Sequence, residues 1–451
     1  MSPPPSSALA MHLQDALASR DARWIRRRLP DPSASPSSVS PSSPPVDFNS
    51  NDYLSLSQSP SLRTLFLAKL SAAPDILGSG GSRLLVNGRA HSALEARLAS
   101  FFKVDAALLF NSGFDANVGF FACIPQKGDA LVYDEYIHAS VHDGMRSSRV
   151  ARDAQVPFPH NDVPAFKNII SRLKDSQPSL EDATSSVFIA VESLYSMDGT
   201  FSPLAEIVEA MEETFPKGNA YLVVDEAHAT GIYGPQGRGR VAQLGLEDKV
   251  LARLHTFGKA LAASGAVILT NALIRDYMLN YARSLIYTTS LTYANIIAAD
   301  CSFDMLEDKT AEYLSDHLLS LSTYFVDLLR PYLSSIPSEL LSLPPFLLSS
   351  SSSAPPSPII PLHTSHPRPL SAYLLALGMN ARPITWPTVP KGKDRVRVCL
   401  HAGNTRAEVE ALVAGVRRWV GEVLVERGRE KERVRAGKDR REQGEWVESK
   451  L

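Results

Sequence analysis

The chain has 451 residues, more than one hydrophobic core normally holds, so we expect one large and one small domain. Its 46 basic and 48 acidic residues give a net charge of −2, which argues against bulk attraction to nucleic acid or to an anionic membrane. The three cysteines lie far apart and lack metal-ligand spacing, so the sequence predicts reduced thiols and no metal site. No apolar run approaches the roughly 18 residues of a membrane-spanning helix, and the N-terminus does not have the form of a secretory signal.

The first predicted element is a helix near the N-terminus. Residues 9–29 place Leu13, Leu17 and Trp24 near one face, which is the spacing of an amphipathic helix. The stretch that follows is rich in proline and serine and cannot build a core, which is typical of a mobile linker. We therefore predict that residues 1–47 precede the first domain.

Residues 48–300 alternate between short apolar runs and helical stretches. The runs AALLFNS, DALVYDE, SVFIAVES, AYLVVDEA and GAVILTN have the length and composition of buried strands. The stretches HSALEARLASFF and PLAEIVEAMEETF are predicted to be helices. Such alternation predicts an α/β domain in which a mostly parallel sheet is covered by helices on both faces.

The C-terminal third predicts a smaller domain and a tail. Residues 301–425 contain a second tract rich in proline and serine, and after it the predicted helix SAYLLALG, the predicted strand DRVRVCLHA and the predicted helix AEVEALVAGVRRWV. This order indicates a small α+β domain. Residues 426–451 mix both signs of charge at high density, which predicts a solvated helix or a disordered tail.

Polar residues follow two of the predicted strands in an arrangement suited to a ligand. Asp225 and His228 come just after AYLVV, and Gly113 and Phe114 follow AALLF at the start of a helix. In an α/β protein the residues beyond the carboxyl ends of strands line the ligand crevice. A carboxylate there can hold a protonated ring nitrogen, and the free N–H groups of a helix start can bind a phosphate.

Lys259 lies in the run LHTFGKALAASGA, among small and apolar residues. Desolvation in such a setting lowers the pKa of an amine and favours the neutral form that attacks a carbonyl. Ser196 and Thr256 add hydroxyl groups suited to the same phosphate. A lysine, an acid, a histidine, a glycine–aromatic turn and hydroxyls are the groups that pyridoxal phosphate requires, so the sequence predicts this cofactor.

Eight segments resemble, in order, the α-oxoamine synthases, which are fold-type-I pyridoxal phosphate enzymes that condense an amino acid with an acyl-CoA and release carbon dioxide. The segments are NDYLSLS, GSGGSRLL, FNSGFDAN, YIHAS, ESLYSMDGTFSPL, VDEAHATGIYGPQGRG, TFGKA and IYTTS. The resemblance implies a large domain with a mostly parallel seven-stranded sheet, a smaller C-terminal α+β domain and a homodimer. IRRRLP, TFGKALAASGA and WPTVPKGKDRVRVCL resemble the biotin-pathway branch of the family, which implies L-alanine and pimeloyl-CoA as substrates.

The same resemblance implies roles for individual residues. By this resemblance, Lys259 forms a Schiff base with the cofactor and later moves the Cα proton, Asp225 faces the pyridine nitrogen, and His228 faces the ring hydroxyl. His138 stacks on the ring and steers the acyl-thioester carbonyl. The other implied cofactor contacts are Gly113, Phe114, Ser196, Thr256 and, across to the neighbouring subunit, Thr289. The implied substrate contacts are Arg26, Asn51, Thr388 and Arg397.

One departure from the family leaves the acyl donor open. Bacterial members of the biotin branch carry an arginine just before PPTVP, whereas this chain has Thr385 and Trp386 before PTVP. Another acyl donor, or glycine or serine as the amino acid, is therefore an alternative within the family. An aminotransferase or lyase of the same fold type would not be expected to keep YIHAS and GSGGSRLL. A non-catalytic partner subunit would not be expected to keep Lys259, Asp225 and His138 together.

The last three residues are Ser449, Lys450 and Leu451. A C-terminal S-K-L tripeptide is the address that the peroxisomal import receptor reads, and a polar tail would present it well. We therefore expect a peroxisomal enzyme, in an organelle that handles acyl-CoA by chain shortening. If the receptor does not read the tripeptide, we expect the protein in the cytosol.

Overall fold

The computed structural model describes residues 7–23, 25–29, 44–348 and 355–448. Trp24, most of the predicted linker, part of the second proline- and serine-rich tract and the C-terminal tripeptide lie outside these described residues. None of the helices in the described ranges is long and apolar enough to cross a bilayer.

The strands, in chain order, are β1 (Val46–Asp47), β2 (Ala106–Phe110), β3 (Ala130–Asp134), β4 (Gln155–Phe158), β5 (Val187–Glu192), β6 (Ala220–Asp225), β7 (Val250–Thr256), β8 (Ala266–Thr270), β9 (Ile359–His363), β10 (Met379–Asn380), β11 (Arg382–Ile384) and β12 (Arg395–Cys399). The helices are α1 (Ala8–Ala22), α2 (Pro60–Ala72), α3 (Arg89–Phe102), α4 (Gly113–Cys123), α5 (Ala139–Arg146), α6 (Val163–Ser176), α7 (Pro178–Glu181), α8 (Leu204–Thr214), α9 (Arg240–Gln243), α10 (Ala272–Tyr281), α11 (Arg283–Ile286), α12 (Tyr293–Glu307), α13 (Thr310–Leu333), α14 (Pro345–Leu348), α15 (Pro367–Ala376) and α16 (Arg406–Glu448).

Seven strands form the central sheet, in the order β2-β8-β7-β6-β5-β3-β4. β8 runs antiparallel to β2 and β7, and the other pairings are parallel, which confirms the predicted mostly parallel sheet. Alternate residues of the strands belong to two separate apolar cores, with Leu109 and Leu269 in one and Leu108 and Ile268 in the other. Because successive side chains point to opposite faces, both faces of the sheet are covered, as the apolar runs predict.

Sequence patterns do not predict two strands of this sheet. β4 contains Pro157 and lies at the edge, where a strand tolerates proline. β7 carries Arg253 and His255, so its sequence has the alternation of a half-exposed strand, although both side chains are buried. Arg253 donates to the backbone oxygen of Phe102 at 3.1 Å, and His255 Nδ1 lies 2.9 Å from Thr230 Oγ1. These partners satisfy part of the polar groups, whereas Arg253 Nη1 and His255 Nε2 have no partner within the described residues.

The C-terminal part contains a three-stranded antiparallel sheet in the order β11-β12-β9. α15 packs against β11 and β12, and α16 packs against α15, which gives the predicted small α+β domain. β1 pairs in parallel with β10 and so joins the start of the large domain to the small one. The predicted boundaries at residues 300 and 425 fall within α12 and α16 and stay predictions.

The two ends of the described chain are helical. α1 corresponds to the predicted N-terminal helix, but Leu13 and Leu17 on its predicted apolar face are exposed. α16 includes the predicted helix AEVEALVAGVRRWV and continues through the charged segment to Glu448.

Candidate active site

The carboxyl ends of five strands meet at one edge of the sheet and bring most of the predicted site residues together. Gly113 follows β2, His138 follows β3, Ser196 follows β5, Asp225 ends β6 and Lys259 follows β7. Because parallel strands end at the same edge, residues far apart in the sequence meet here, in the crevice where an α/β protein binds its ligand.

Lys259 lies in the tight connection between β7 and β8. Its backbone oxygen accepts from the N–H of Ala262 at 3.0 Å, and its side chain is partly buried. Burial lowers the pKa of the amine, whereas the carboxyl groups of Asp225 and Glu192 act to raise it. The net shift is downward, so more of the amine is neutral than it would be in water.

Asp225 accepts hydrogen bonds on both of its carboxylate oxygens. Asn117 Nδ2, from α4, lies 2.8 Å from Oδ2, and the backbone nitrogen of Ala227 lies 2.9 Å from Oδ1. Two N–H donors suit a carboxylate, which only accepts hydrogen bonds. They fix the position of Asp225 at the end of β6.

His228 lies three residues beyond Asp225 and is buried. Its Nδ1 lies 2.7 Å from the hydroxyl oxygen of Tyr53. Burial lowers the pKa of the imidazole well below its ordinary value, and the positive charges of Lys259 and Arg397 lower it further. The ring is therefore neutral, and Tyr53 fixes its orientation.

His138 caps the N-terminus of α5. The residue as a whole is exposed, but its Nδ1 accepts from the backbone N–H of Ser140 at 3.2 Å and lies 2.7 Å from Ser140 Oγ. Ser140 Oγ accepts in turn from Asn117 Nδ2 at 2.9 Å. A chain of hydrogen bonds thus connects His138 to Asp225 through Ser140 and Asn117.

The start of α4 offers unpaired donors at the same edge. Ser112 caps the helix, because its Oγ accepts from the N–H of Asp115 at 3.1 Å. Within the described ranges, the backbone N–H groups of Gly113 and Phe114 have no acceptor. A Cβ built on Gly113 would lie 3.6 Å from the Cβ of Thr256, so the hydroxyl-bearing end of β7 is next to this turn. Free helix-start N–H groups beside a hydroxyl are suited to a phosphate.

Arg397, in β12, joins the small domain to the site. Its guanidinium donates to the backbone oxygens of Ser196 at 3.0 Å and Asn49 at 3.1 Å, and to Oδ1 of Asn51 at 3.0 Å. Arg397 is buried, and its Nε has no partner in the part of the chain that the structure describes. A buried guanidinium N–H without an acceptor suits an anionic group bound beside it.

Thr388 lines a cavity of about 370 Å³ that Ser196 and Trp386 also line. The cavity therefore connects Thr388 to the residues at the end of β5. Arg23, just after α1, lies 6.0 Å from the centre of the Trp386 ring, so the N-terminal helix ends close to this cavity.

Two predicted residues show no contact with this cluster among the residues described. Arg26 is exposed and forms an ion pair with Asp21, with 2.5 Å between Nη1 and Oδ2. Thr289 is exposed, and its backbone oxygen accepts from Asn111 Nδ2 at 2.7 Å. A single chain thus leaves both residues at its surface.

Sequence reasoning missed Tyr53, Asn117, Ser140 and Glu192, although each lies inside a segment that carries the family resemblance. Glu192 is paired with Asp225 across β5 and β6, and burial raises its pKa well above the ordinary value. No local pattern identifies these residues, because their partners lie elsewhere in the sequence. The segments that resemble the family were the only available signal.

The family model described as aminotransferase class I and II matches residues 43–416. The 8-amino-7-oxononanoate synthase of Emericella nidulans is 44% identical over 411 residues, which cover 90% of this chain and 95% of that protein. The chain is an α-oxoamine synthase. This synthase is also 40% identical over 397 residues to the aminoacyl transferase sphA of Aspergillus fumigatus, covering 86% of the chain and 84% of the relative.

Solved structures share the fold of this α-oxoamine synthase. The serine palmitoyltransferase of Sphingomonas wittichii has a TM-score of 0.74 at 24% identity, over 91% of this chain and 97% of that one. The 8-amino-7-oxononanoate synthase of Francisella tularensis has a TM-score of 0.65 at 24% identity, over 85% of this chain and 98% of that one. These likenesses confirm the predicted fold-type-I architecture.

α-Oxoamine synthases are pyridoxal phosphate enzymes, so the cofactor of this acyltransferase is pyridoxal phosphate, and the donor set at the sheet edge fits it. Asp225 offers a fixed carboxylate for a protonated ring nitrogen. Lys259 offers an amine whose pKa is lowered by burial, as an attack on an aldehyde requires. The unpaired N–H groups at the start of α4 suit the phosphate.

Proposed function

We propose that this α-oxoamine synthase condenses L-alanine with pimeloyl-CoA and releases carbon dioxide and CoA, giving 8-amino-7-oxononanoate for biotin synthesis. The observation that carries the proposal is the 44% identity to the Emericella nidulans synthase over 90% of the chain. The grouping of Lys259, Asp225 and His228 at one sheet edge supports the reaction type.

Bound pyridoxal phosphate supplies an electron sink for the negative charge that develops at Cα of the amino acid. In the proposed arrangement, Asp225 accepts a hydrogen bond from the ring nitrogen and keeps that nitrogen protonated. Lys259 Nζ would hold the cofactor covalently in the resting enzyme and would accept the proton from Cα of the amino acid during turnover. Both tasks require the neutral amine, which burial favours.

The remaining polar groups are proposed to orient the cofactor. Neutral His228, held by Tyr53, faces the ring hydroxyl. The N–H groups of Gly113 and Phe114 and the hydroxyl of Thr256 bind the phosphate, since they lie together at the edge of the sheet. Ser196 is proposed to line the cofactor from the end of β5, on the side of the acyl cavity.

Arg397 and Asn51 are proposed to hold the carboxylate of the amino acid. The buried Nε–H of Arg397 has no partner within the described residues, and the two Nη atoms use three of their four N–H groups within the protein, so two donors are available to a carboxylate. A guanidinium fork matches a planar carboxylate. Asn51 accepts from Arg397 and so keeps the fork in place.

The 370 Å³ cavity lined by Trp386 and Thr388 is proposed to take the acyl chain. The distal carboxylate of a pimeloyl group would need a cation there, because a buried carboxylate without a partner is costly. Arg26 is the candidate, since Arg23 just before it contacts the ring of Trp386. To serve the substrate, Arg26 would exchange its ion pair with Asp21 for the acyl carboxylate.

A second candidate function is a specialised synthase that uses another acyl donor. The 40% identity to the aminoacyl transferase sphA of Aspergillus fumigatus favours it. So does the presence of Thr385 and Trp386 at the place where bacterial members of the biotin branch carry an arginine. Such an enzyme would keep the cofactor site and differ in the acyl cavity.

Release of CoA from the purified enzyme tests the substrate pair. Alanine, glycine and serine are each supplied with pimeloyl-, succinyl-, acetyl- and octanoyl-CoA, and we expect the highest kcat/KM for L-alanine with pimeloyl-CoA. Arg26→Ala should raise the KM for pimeloyl-CoA about tenfold, the effect of about 1.4 kcal/mol, and spare octanoyl-CoA. The exposed neighbour Arg27→Ala is the control. A preference for glycine or for octanoyl-CoA would contradict the proposed substrates and leave the cofactor chemistry intact.

We propose a homodimer in which Thr289 reaches the phosphate site of the second subunit. Leu77 and Leu85 are 77% and 81% exposed, and the N–H of Tyr293 donates to the backbone oxygen of Leu77 at 3.0 Å, which places this apolar segment beside the one that carries Thr289. Phe114 is also exposed. It lies on the same side, because Asn111, three residues before it, donates from Nδ2 to the backbone oxygen of Thr289. An apolar face of this kind is typical of a protein–protein interface.

We propose that Ser449, Lys450 and Leu451 direct the enzyme to peroxisomes. Support comes from the form of the tripeptide and from the exposure of residues 428–434 of α16, which lead towards it. Removing the three residues should move a fluorescent-protein fusion, tagged at its N-terminus, from peroxisomes to the cytosol. The kcat/KM in vitro should not change, because a polar tail has little apolar surface to pack against the rest of the enzyme. Glu448→Ala is the control, and a cytosolic wild-type protein would contradict the proposal.

A further inference from the structure

We infer that Asn117 and Ser140 are positioning residues that hold His138 as a neutral imidazole with its proton on Nε2. In that state Nε2–H donates a hydrogen bond into the cleft, to the carbonyl oxygen of the acyl thioester. The inference rests on the proposed function, because it concerns how that function's acyl donor is activated. Four hydrogen bonds carry it.

Nδ1 of His138 can only be an acceptor. The backbone nitrogen of Ser140 donates to it at 3.2 Å, and a backbone N–H has no other role. The proton of the neutral ring is therefore on Nε2. Since Ser140 Oγ also lies 2.7 Å from this acceptor, the hydroxyl and the backbone N–H share the single lone pair of Nδ1 in a three-centre hydrogen bond.

Asn117 fixes the direction of the Ser140 hydroxyl. Its Nδ2 lies 2.8 Å from Asp225 Oδ2 and 2.9 Å from Ser140 Oγ. A carboxylate only accepts, so the amide presents its NH2 group to Asp225, and the second N–H of that group is directed at Ser140 Oγ. Asn117 is 4% and Ser140 0% exposed, so water does not replace these bonds. Reversing any bond would leave a buried polar group unsatisfied.

The surroundings of His138 oppose a positive charge on its ring. A proton on Nδ1 would face the fixed N–H of Ser140 and the positive end of the α5 dipole. Burial lowers the pKa of the imidazole, Lys259 lowers it further, and the charges of Asp225 and Asp143 offset only part of this.

Two other histidines interact with this ring, His142 on α5 and His228 beyond β6. Burial lowers the pKa of both imidazoles, so both are neutral at neutral pH and add no charge beside His138.

A neutral N–H donor suits the chemistry of the thioester. As Cα of the amino acid attacks the carbonyl carbon, a C–C bond forms and an electron pair moves to the carbonyl oxygen. The pair returns when the C–S bond breaks and CoA leaves as its thiolate. Nε2–H stabilises the oxygen throughout and stays on His138, since a neutral imidazole can act as a hydrogen-bond donor without giving up its proton.

Nitrogen NMR of the holoenzyme with ¹⁵N-labelled histidine measures the tautomer directly, and His138→Gln identifies the signal by its loss. We expect an unprotonated Nδ1 and a protonated Nε2 at neutral pH, and a His138 pKa below the ordinary histidine value of about 6.5. Ser140→Ala keeps the backbone N–H that donates to Nδ1, so Nε2–H should remain the major tautomer, but the pKa of His138 should rise towards that ordinary value, because one donor to the neutral ring is lost. Ser140→Thr keeps the hydroxyl and should keep the wild-type spectrum. A protonated Nδ1 in the wild type, or a His138 pKa in Ser140→Ala equal to that of the wild type, would overturn the inference.

Steady-state kinetics with the acyl-CoA that the enzyme prefers provides the second readout. Ser140→Ala should lower kcat/KM for acyl-CoA about 10- to 100-fold, while the KM for the amino acid stays within about twofold. Asn117→Ala combined with Ser140→Ala should cost less than the sum of the two single losses, because both act through His138. Fully additive losses would contradict the shared role. Ser147→Ala, at the other end of α5 and exposed, is the control.

The two measurements separate this inference from the proposed function. The NMR result needs no turnover, so a different preferred substrate pair would overturn the substrate assignment and leave the tautomer standing. The wrong tautomer would overturn the role of Asn117 and Ser140 and leave the reaction standing.

Discussion

Replacement of Lys259 by alanine is expected to reduce turnover by more than about 10⁴-fold, beyond the loss of an ordinary general base, because this one amine is proposed both to bind the cofactor and to move the proton. The fold should survive. Within the described residues, Lys259 Nζ makes no hydrogen bond or ion pair, so its removal breaks neither kind of contact. The variant should bind pyridoxal phosphate only reversibly.

Three measurements check this expectation: visible absorption of the lysine-bound cofactor, its reduction by borohydride, and CoA release. The wild type should keep the cofactor through dialysis, and borohydride should abolish the absorption; Lys259→Ala should lose the cofactor. Lys249→Ala is the matched control, since Lys249 is exposed at the opposite end of β7 and forms an ion pair with Glu212 at 2.6 Å. Near-normal activity of Lys259→Ala would refute the proposed mechanism.

Asp225→Asn is expected to keep the cofactor and lower kcat by about 10²- to 10⁴-fold. The phosphate site and Lys259 are unchanged, so binding persists. The amide carries no charge and cannot keep the ring nitrogen protonated. It also has a single acceptor oxygen for two donors, Asn117 Nδ2 and the N–H of Ala227, so one of these donors would face the new NH2 group.

Cofactor content and turnover are measured on the same samples of this variant. Asp276→Asn, which alters an exposed residue of α10, is the control and should match the wild type. An unchanged rate in Asp225→Asn would mean that another acid holds the ring nitrogen.

Much of the fold could be predicted because buried parallel strands appear as continuous apolar runs. β2 and β5 are such runs, whereas β7 was missed because it buries Arg253 and His255 with partners from other elements. A single strand does not specify those partners. The sequence of β7 therefore has the pattern of a half-exposed strand, although the strand lies in the centre of the sheet.

The candidate site shows the same limit. Asp225, His228 and Lys259 could be proposed because each follows a predicted strand or lies in an unusual local setting. Asn117 could not be proposed, because its role depends on hydrogen bonds to Ser140 and Asp225, which are 23 and 108 positions away in the sequence. Such residues are identified by the fold and not by their neighbours in the sequence.

The bonds of Arg397 have a consequence for how the protein is made. Its partner Asn51 is 346 positions earlier, and Ser196 is 201 positions earlier. Contacts across such distances form late, because the entropy of closing a long loop must first be overcome. The groups around Asp225 and Lys259 all leave the ribosome before the C-terminal domain does. A nascent chain can therefore form the sheet edge that carries Asp225 and Lys259 before it has Arg397, the residue proposed to bind the carboxylate of the amino acid.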